Sequence, residues 1–156
     1  MRRSKATYLL CLALLCALCS CDNQQTIADR YQTLPADGWD TEDTLSFPID
    51  SVTNTSDYRL KLCMRTTREI PFQSVFVVVE QKFEKPRLQL RDTIEMRLAD
   101  DQGNLEGRGL YLYTTDTDAP HRLRLHQGQR GTIRVTHIMR RRLLPGIRDV
   151  GITITR

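Results

Sequence analysis

Cysteine is scarce beyond the N-terminal region of this 156-residue chain. Four of its five cysteines lie within the first 21 residues, and Cys63 is the only one further along. A single thiol forms no disulfide within the chain, so a domain held together by disulfides is excluded. No apolar run after residue 18 is long enough to cross a bilayer, so we expect no later transmembrane helix.

Catalytic and metal-binding patterns are also missing. The chain contains no G-x-S-x-G elbow, and its three histidines have no neighbouring cysteines or carboxylates that would complete a zinc site. The acidic segment 100–106 lacks the spacing of a calcium loop and is better interpreted as a hairpin turn around Gly103-Asn104. The sequence therefore predicts no enzyme activity, no catalytic residue, no metal and no other cofactor.

The net charge argues against a nucleic-acid partner. The formal charge of the whole chain is +4, and removing Arg2, Arg3 and Lys5 from the count lowers it to +1. Those three residues precede the apolar run Tyr8–Leu18 in the order that is typical of a secretory signal. We interpret residues 1–20 as a signal peptide, with a short membrane anchor as the alternative, since the run is about half the ~20 residues that a spanning helix needs.

The residues that follow the apolar run predict lipid modification. Leu18-Cys19-Ser20-Cys21 resembles a bacterial lipobox, with Leu three positions before the modified cysteine and a small residue directly before it. Cys19 is a poorer candidate because Leu18 would then occupy the small-residue position. Two or more acyl chains hold a protein stably in a membrane, so we predict a lipid anchor at Cys21.

The rest of the chain predicts a polar tether over residues 21–30 and one all-β domain over residues 31–156. Short alternating or β-branched segments recur about every ten residues, and no long helical stripe occurs. We expect an antiparallel β-sandwich of about seven to eight strands, jelly-roll or immunoglobulin-like, with a small closed barrel as the alternative. The predicted strands are 44–49, 58–66, 74–83, 91–98, 122–125, 131–138 and 150–155.

Five residues are candidates for contact with a ligand or partner. Trp39, Tyr111 and Tyr113 offer aromatic rings, and the two tyrosines share one face if their segment is extended. Trp39 is equally suited to plug an open end of the sandwich. Arg140 and Arg141 belong to a basic triplet that suits anionic headgroups or peptidoglycan carboxylates, although a solvated turn is the simpler interpretation.

The order of motifs along the chain resembles the GldH-type gliding-motility lipoproteins of Bacteroidota. The resemblance covers nearly all of the chain after the predicted signal peptide. The motifs that carry it are Cys21-Asp22, Tyr31, Leu34-Pro35, Trp39, Asp43, Phe47, Arg65, Ile70-Pro71-Phe72, Val75, Arg91-Asp92-Thr93-Ile94-Glu95, Leu98-Ala99-Asp100, Gly103, Gly107, Gly109, Met139-Arg140, Leu143, Pro145-Gly146-Ile147 and Asp149-Val150-Gly151.

This resemblance implies a non-enzymatic accessory lipoprotein of an envelope machine linked to gliding motility or secretion. Its expected partners are the membrane, through Cys21, and other envelope proteins. The residues after Cys21 lack the acidic cluster associated with surface export in that phylum, so the resemblance implies an outer-membrane protein that faces the periplasm. The alternative is a sandwich lipoprotein that binds carbohydrate or peptidoglycan through Trp39, Tyr111 or Tyr113.

Overall fold

A computed structural model describes residues 25–156 as ten β-strands. Within that range no helix is long and apolar enough to cross a membrane. The strands are β1 Thr26–Thr33, β2 Trp39–Asp40, β3 Leu45–Ile49, β4 Ser56–Thr67, β5 Ser74–Glu84, β6 Leu88–Arg97, β7 Leu112–Leu125, β8 Arg130–His137, β9 Leu143–Leu144 and β10 Ile147–Thr155. Cys21 and the predicted signal peptide lie outside the described residues.

Eight of these strands form two antiparallel four-stranded sheets, and β2 pairs separately with β9. One sheet has the order β1-β10-β4-β7, and the other has the order β3-β8-β5-β6. All-β chains of this kind bury one face of each sheet against the other. The predicted antiparallel β-sandwich is therefore confirmed. Its strand order is that of a jelly roll, in which most consecutive strands lie in different sheets while β5 and β6 form a hairpin, and not that of an immunoglobulin domain.

The core follows the period of two that the sequence shows. On β4, Tyr58, Leu60, Leu62 and Met64 point inward and are fully buried, as alternating strand side chains require. On β5 the inward positions are mostly valines, and this strand lies inside its sheet, between β8 and β6. Pro48 lies on β3 at the edge of its sheet, where a missing N–H costs no ladder bond.

The boundaries of the predicted tether need correction. Residues 26–30 were assigned to the tether, but they form the first part of β1, which pairs with β10 from Thr26 opposite Thr155 to Thr33 opposite Asp149. This segment is polar because β1 is an edge strand with one face in solvent. β1 is a strand because it pairs with β10, which lies more than a hundred residues later in the chain. Its own residues therefore contain no signal that distinguishes a polar edge strand from a linker.

Tyr31 shows how β1 is held against its sheet. Its ring covers Gly151, where a side chain would collide with the ring, and the Arg65 guanidinium lies 4.1 Å from the ring centroid. Burial, followed by the interaction with Cys63, raises the pKa of Tyr31 to about 12. The polar edge strand is thus fixed by a side chain packed on its outer face, and Cys63 is buried beside it, as expected for a packed cysteine.

Every loop of the sandwich belongs to one of two opposite ends. We name the end at which β1 begins the proximal end, and the other the distal end. The register places loops 50–55, 85–87 and 126–129 at the proximal end, together with the last residues of β10. It places segments 34–44, 68–73, 98–111 and 138–146 at the distal end.

Candidate interaction surface at the distal end

Trp39 closes the distal end from the inside and does not contact solvent. It is 0% exposed, and its backbone pairs with Leu144 in the short β2–β9 sheet. Its indole Nε1–H donates a 3.0 Å hydrogen bond to the Asp43 carbonyl oxygen. The proposed role of Trp39 as a stacking platform for a ligand is therefore wrong, because an enclosed ring has no free face. The alternative, a plug of the open end, is correct.

The partner of this indole in the core is a buried histidine. His137 is 1% exposed, and the two rings meet edge to face with centroids 5.2 Å apart at 73°. Neither ring nitrogen of His137 has a hydrogen-bond partner among the described residues. Burial lowers the pKa of His137, so the ring stays neutral at pH values where an exposed histidine begins to take up a proton.

The basic triplet divides into one paired arginine and two free ones. The Arg142 guanidinium lies 3.1 Å from Asp40 Oδ2 and 3.4 Å from Glu42 Oε2. The Glu42 backbone N–H, and then Arg142, lower the pKa of Asp40. Arg140 and Arg141 are both exposed, and no carboxylate within residues 25–156 lies within 4.0 Å of either. They therefore present two uncompensated charges at the distal end.

A turn that requires glycine at position 109 exposes Leu110 and Tyr111 to solvent just before β7. The backbones of Arg108 and Thr114 exchange two hydrogen bonds of 3.0 and 3.1 Å and so close the base of the turn. Gly109 has a φ of +151°, and any side chain there would collide with the Leu112 carbonyl. The turn leaves Leu110 86% exposed and Tyr111 88% exposed. Such exposure is unusual for two consecutive large apolar residues and makes the pair a candidate contact surface.

Tyr113 does not share this exposure. The predicted common face with Tyr111 required an extended segment, but β7 begins at Leu112, and Tyr111 lies in the bend before it. Tyr113 pairs with Thr66 and is half-buried. It lines a shallow cavity of about 290 Å³ together with Arg68 and Leu105. The two rings therefore do not form a joint stacking platform, and Tyr111 alone remains freely accessible.

All the large hydrophobic side chains that the described residues expose are at the distal end. Phe76 lies near the start of β5, and its carbonyl oxygen accepts a 2.9 Å hydrogen bond from the Ile138 N–H just after β8. The exposed set is Phe76, Leu110, Tyr111, Leu112 and Ile138. We call this set, with Arg140 and Arg141, the distal surface. Its combination of apolar and uncompensated basic groups suits contact with another macromolecule.

A polar cluster that joins the two sheets was not predicted; its Gln81 and Asp92 are buried, and its His121 side chain is 61% exposed. Asp92 of β6 accepts a 2.9 Å hydrogen bond from Gln81 Nε2, and its other oxygen lies 2.8 Å from His121 Nδ1 on β7. Asp92 lies two residues before the inward-pointing Ile94 and so shares its face of β6. This spacing is the feature of the sequence that could have predicted a buried carboxylate. Within residues 25–156 no three potential metal ligands come together. The Asp100 carboxylate accepts hydrogen bonds from the backbone N–H and the side-chain amide of Asn104 and so caps a turn.

The protein is thus a jelly-roll domain that gathers its exposed apolar side chains and two unpaired arginines at one end. The chain matches the GldH lipoprotein family over residues 26–154, and it belongs to that family. The resemblance found in the sequence is thereby confirmed. Family membership also makes the chain a lipid-anchored envelope lipoprotein of a group linked to gliding motility.

A curated relative and a solved structure were also compared. The gliding motility lipoprotein GldH of Flavobacterium johnsoniae is 27% identical over 163 aligned residues, which cover 99% of this chain and 98% of the relative. The structure of Eiger TNF from S. frugiperda overlaps 65% of this chain and 60% of its own, with 13% identity and a TM-score of 0.29.

Proposed function

We propose that this protein is a non-enzymatic accessory component of an envelope machine linked to gliding motility or secretion. Acyl chains on Cys21 hold it in the outer membrane, and the domain faces the periplasm. The family and the name of the Flavobacterium relative support the association with gliding. The observation that carries the proposal is the separation of the distal surface from the end at which the tether enters the domain.

The length of the sandwich gives this separation a scale. The longest inner strand, β4, has 12 residues, which span about 40 Å at ~3.3 Å per residue. A domain held by its proximal end therefore presents Tyr111, Arg140 and Arg141 at roughly that distance from its point of attachment. A partner bound there is an envelope protein that lies away from the bilayer surface, or one that extends into the periplasm.

Site-specific photocrosslinking in cells tests the proposed contact. A photoreactive phenylalanine analogue at Tyr111 or Arg141 is expected to form adducts with one or a few envelope proteins, identified by mass spectrometry. The same analogue at Gln127, which is exposed at the proximal end, is the matched control. Equal adducts from all three positions, or no envelope protein from Tyr111 and Arg141, contradicts the proposed partner surface.

A separate experiment tests the anchor. Labelled palmitate is expected to enter the wild-type protein and not the Cys21→Ser variant, which moves from the membrane fraction to the periplasmic fraction. Density separation of inner and outer membranes then tests the outer-membrane assignment. Protection from protease in intact cells, lost when the outer membrane is permeabilised, tests the periplasmic orientation. Label in the serine variant would exclude Cys21 as the acylated residue.

A second candidate function is binding to peptidoglycan or another glycan. Trp39 is buried and Tyr113 is half-buried, so the ring that favours this function is Tyr111, which stands free at the distal end. Purified peptidoglycan should then retain the protein, and Tyr111→Ala should release it. Retention that does not depend on Tyr111 contradicts this second function.

A further inference from the structure

A cluster of cations surrounds the proximal end on the side of the β3-β8-β5-β6 sheet. Two adjoining grooves of about 450 and 350 Å³ share Lys82 and Glu84 in their walls. We name the five exposed cations that line these grooves the basic rim: Lys82, Lys85, Arg87, Arg130 and Arg134. Glu84 is the one carboxylate among the lining residues, so the grooves carry a marked positive charge.

The cations of the rim outnumber the carboxylates beside them. Lys82 Nζ lies 3.6 Å from Glu80, whose other oxygen lies 3.9 Å from Arg91. The β5–β8 register places Arg130 opposite Glu84 and Arg134 opposite Glu80. Even so, no carboxylate within residues 25–156 lies within 4.0 Å of any of the other four rim cations. Charged groups of one sign that line a groove concentrate the local potential and attract an ion of opposite sign.

A buried glutamine holds the proximal loops together and fixes the rim in place. Gln129 is 2% exposed, and its Nε2 donates a 2.7 Å hydrogen bond to the Pro86 carbonyl between Lys85 and Arg87. Its Oε1 accepts a 2.8 Å bond from the His126 N–H, and its backbone carbonyl accepts one of 3.0 Å from Val52. Loops 50–55, 85–87 and 126–129 therefore form one connected surface.

The chain enters the domain at this same surface. Gln25 Oε1 accepts a 3.1 Å hydrogen bond from Asn54 Nδ2, and its carbonyl accepts one of 3.1 Å from the Arg156 N–H. Four residue steps separate Gln25 from Cys21, and a fully extended chain of that length spans at most about 14 Å. A lipid attached at Cys21 therefore keeps the proximal end within about 14 Å of the headgroup region.

We propose that the basic rim binds the anionic headgroups of the membrane that holds the acyl chains. This inference rests on the proposed acylation of Cys21. At physiological ionic strength the Debye length is about 8 Å, and a tether of at most about 14 Å lets the proximal end come within that distance of the headgroups. The distal surface, about 40 Å away, stays beyond that distance. Headgroup contact would set the orientation of the domain and keep the distal surface directed away from the bilayer.

Hydrogen exchange of the acylated protein in nanodiscs tests the proposal. One set of discs contains phosphatidylcholine alone, and the other contains phosphatidylcholine with about 30% phosphatidylglycerol. Amides of segments 84–88 and 129–132 are expected to exchange more slowly in the anionic discs, and amides of segment 108–112 are expected to be unchanged. The mass of the Cys21 peptide is measured in the same sample, so absent acylation is distinguished from absent headgroup contact.

Two matched triple variants separate the position of the charges from their number. The first removes rim charges, with Lys85→Gln, Arg87→Gln and Arg130→Gln, and the second removes three cations near the distal end, with Arg108→Gln, Arg140→Gln and Arg141→Gln. Each basic side chain near an anionic surface contributes about a fivefold factor to binding. The Cys21→Ser form of the rim variant should therefore bind anionic vesicles about 100-fold more weakly than its parent.

The outcomes are distinct. Slower exchange at the rim in anionic discs, abolished by the rim variant and retained by the distal variant, supports the proposal. Equal exchange in neutral and anionic discs of an acylated protein overturns it, as does an equal loss of vesicle binding in the two triple variants. Thermal unfolding of each variant confirms that the domain is folded at the temperature of measurement.

Discussion

The buried pair of His137 and Trp39 makes the stability of the domain depend on pH in a way that one substitution should remove. A histidine in the unfolded chain takes up a proton near pH 6.5, whereas burial lowers the pKa of His137 in the folded protein. The nearby backbone of Trp39 and of Arg142, followed by the carboxylates of Asp40 and Asp43, opposes this shift in pKa, but burial is the largest cause. Below pH 6.5 the unfolded state therefore binds more protons, and the free energy of unfolding falls as the pH falls.

The size of the effect follows from this proton difference. While His137 stays neutral in the folded state, stability falls by up to about 1.4 kcal/mol per pH unit. Integration from pH 7.5 to pH 5.5 with an unfolded pKa of about 6.5 gives an upper limit of about 1.4 kcal/mol for the loss from this group. His137→Leu removes that loss, since leucine does not titrate. The difference in stability between the variant and the wild type should therefore become more favourable at pH 5.5, by at most about 1.4 kcal/mol.

At pH 7.5 two effects of His137→Leu oppose each other. Removal of two ring nitrogens without hydrogen-bond partners stabilises the protein by about 1–3 kcal/mol, and loss of the edge-to-face contact with Trp39 costs about 0.5–1.5 kcal/mol. We expect the variant to be as stable as the wild type or up to about 2 kcal/mol more stable. A large destabilisation at pH 7.5 would show that the ring has hydrogen bonds the folded structure does not contain.

Urea unfolding followed by Trp39 fluorescence measures both quantities, because Trp39 is the single tryptophan and lies against His137. The protein used begins at residue 21 and carries Cys21→Ser. His126→Gln is the matched control, since it replaces an exposed histidine with a residue that does not titrate. If His137→Leu and the wild type lose the same stability between pH 7.5 and pH 5.5, the assignment of a buried neutral histidine is refuted.

Three further predictions concern the turns and the core. Gly109→Ala should lower the free energy of unfolding by about 1–3 kcal/mol more than Gly103→Ala. Both glycines have a positive φ, but only at Gly109 would the added Cβ collide with backbone atoms. Thermal unfolding of the two variants measures the difference. Gln129→Ala should cost about 1–3 kcal/mol and speed the exchange of amides in loops 85–87 and 126–129, because it leaves the Pro86 carbonyl and the His126 N–H without partners. Leu60→Ala should cost about 2–5 kcal/mol in urea unfolding, and a cost below 1 kcal/mol would contradict full burial on β4.

The inner strands were predictable because their own residues carry the signal. β4 alternates apolar and polar residues over most of its length, and β5 is a nearly continuous run of β-branched and aromatic residues. Neither signal requires knowledge of the partner strands. β1, β2, β9 and the first half of β7 were missed for a shared reason. They are edge or short strands, and β1 and the start of β7 are mostly polar, so only their pairing with distant segments makes them strands.

The candidate surface was predicted in part, and the errors have a common cause. Arg140 and Arg141 are exposed as expected, but nothing in the triplet indicated that Arg142 would pair with Asp40, about one hundred residues earlier. Trp39 was a candidate for contact because aromatic residues in loops often bind ligands, and it is buried because β2 pairs with β9. The exposed aliphatic neighbours of Tyr111 were not singled out, since an exposed leucine and a core leucine look alike in sequence.

What the sequence determined by itself is local: a signal-like N-terminus with a lipobox at Cys21, the all-β class, and the inward face of β4. These follow from residue order and from a period of two, and neither depends on distant parts of the chain. Tertiary structure alone decided which loops share an end of the sandwich. Antiparallel pairing of β1 with β10, and of β4 with β7, places the tether and the basic rim at one end and the exposed apolar residues at the other. That division arises from contacts between segments far apart in sequence, so no local pattern contains it.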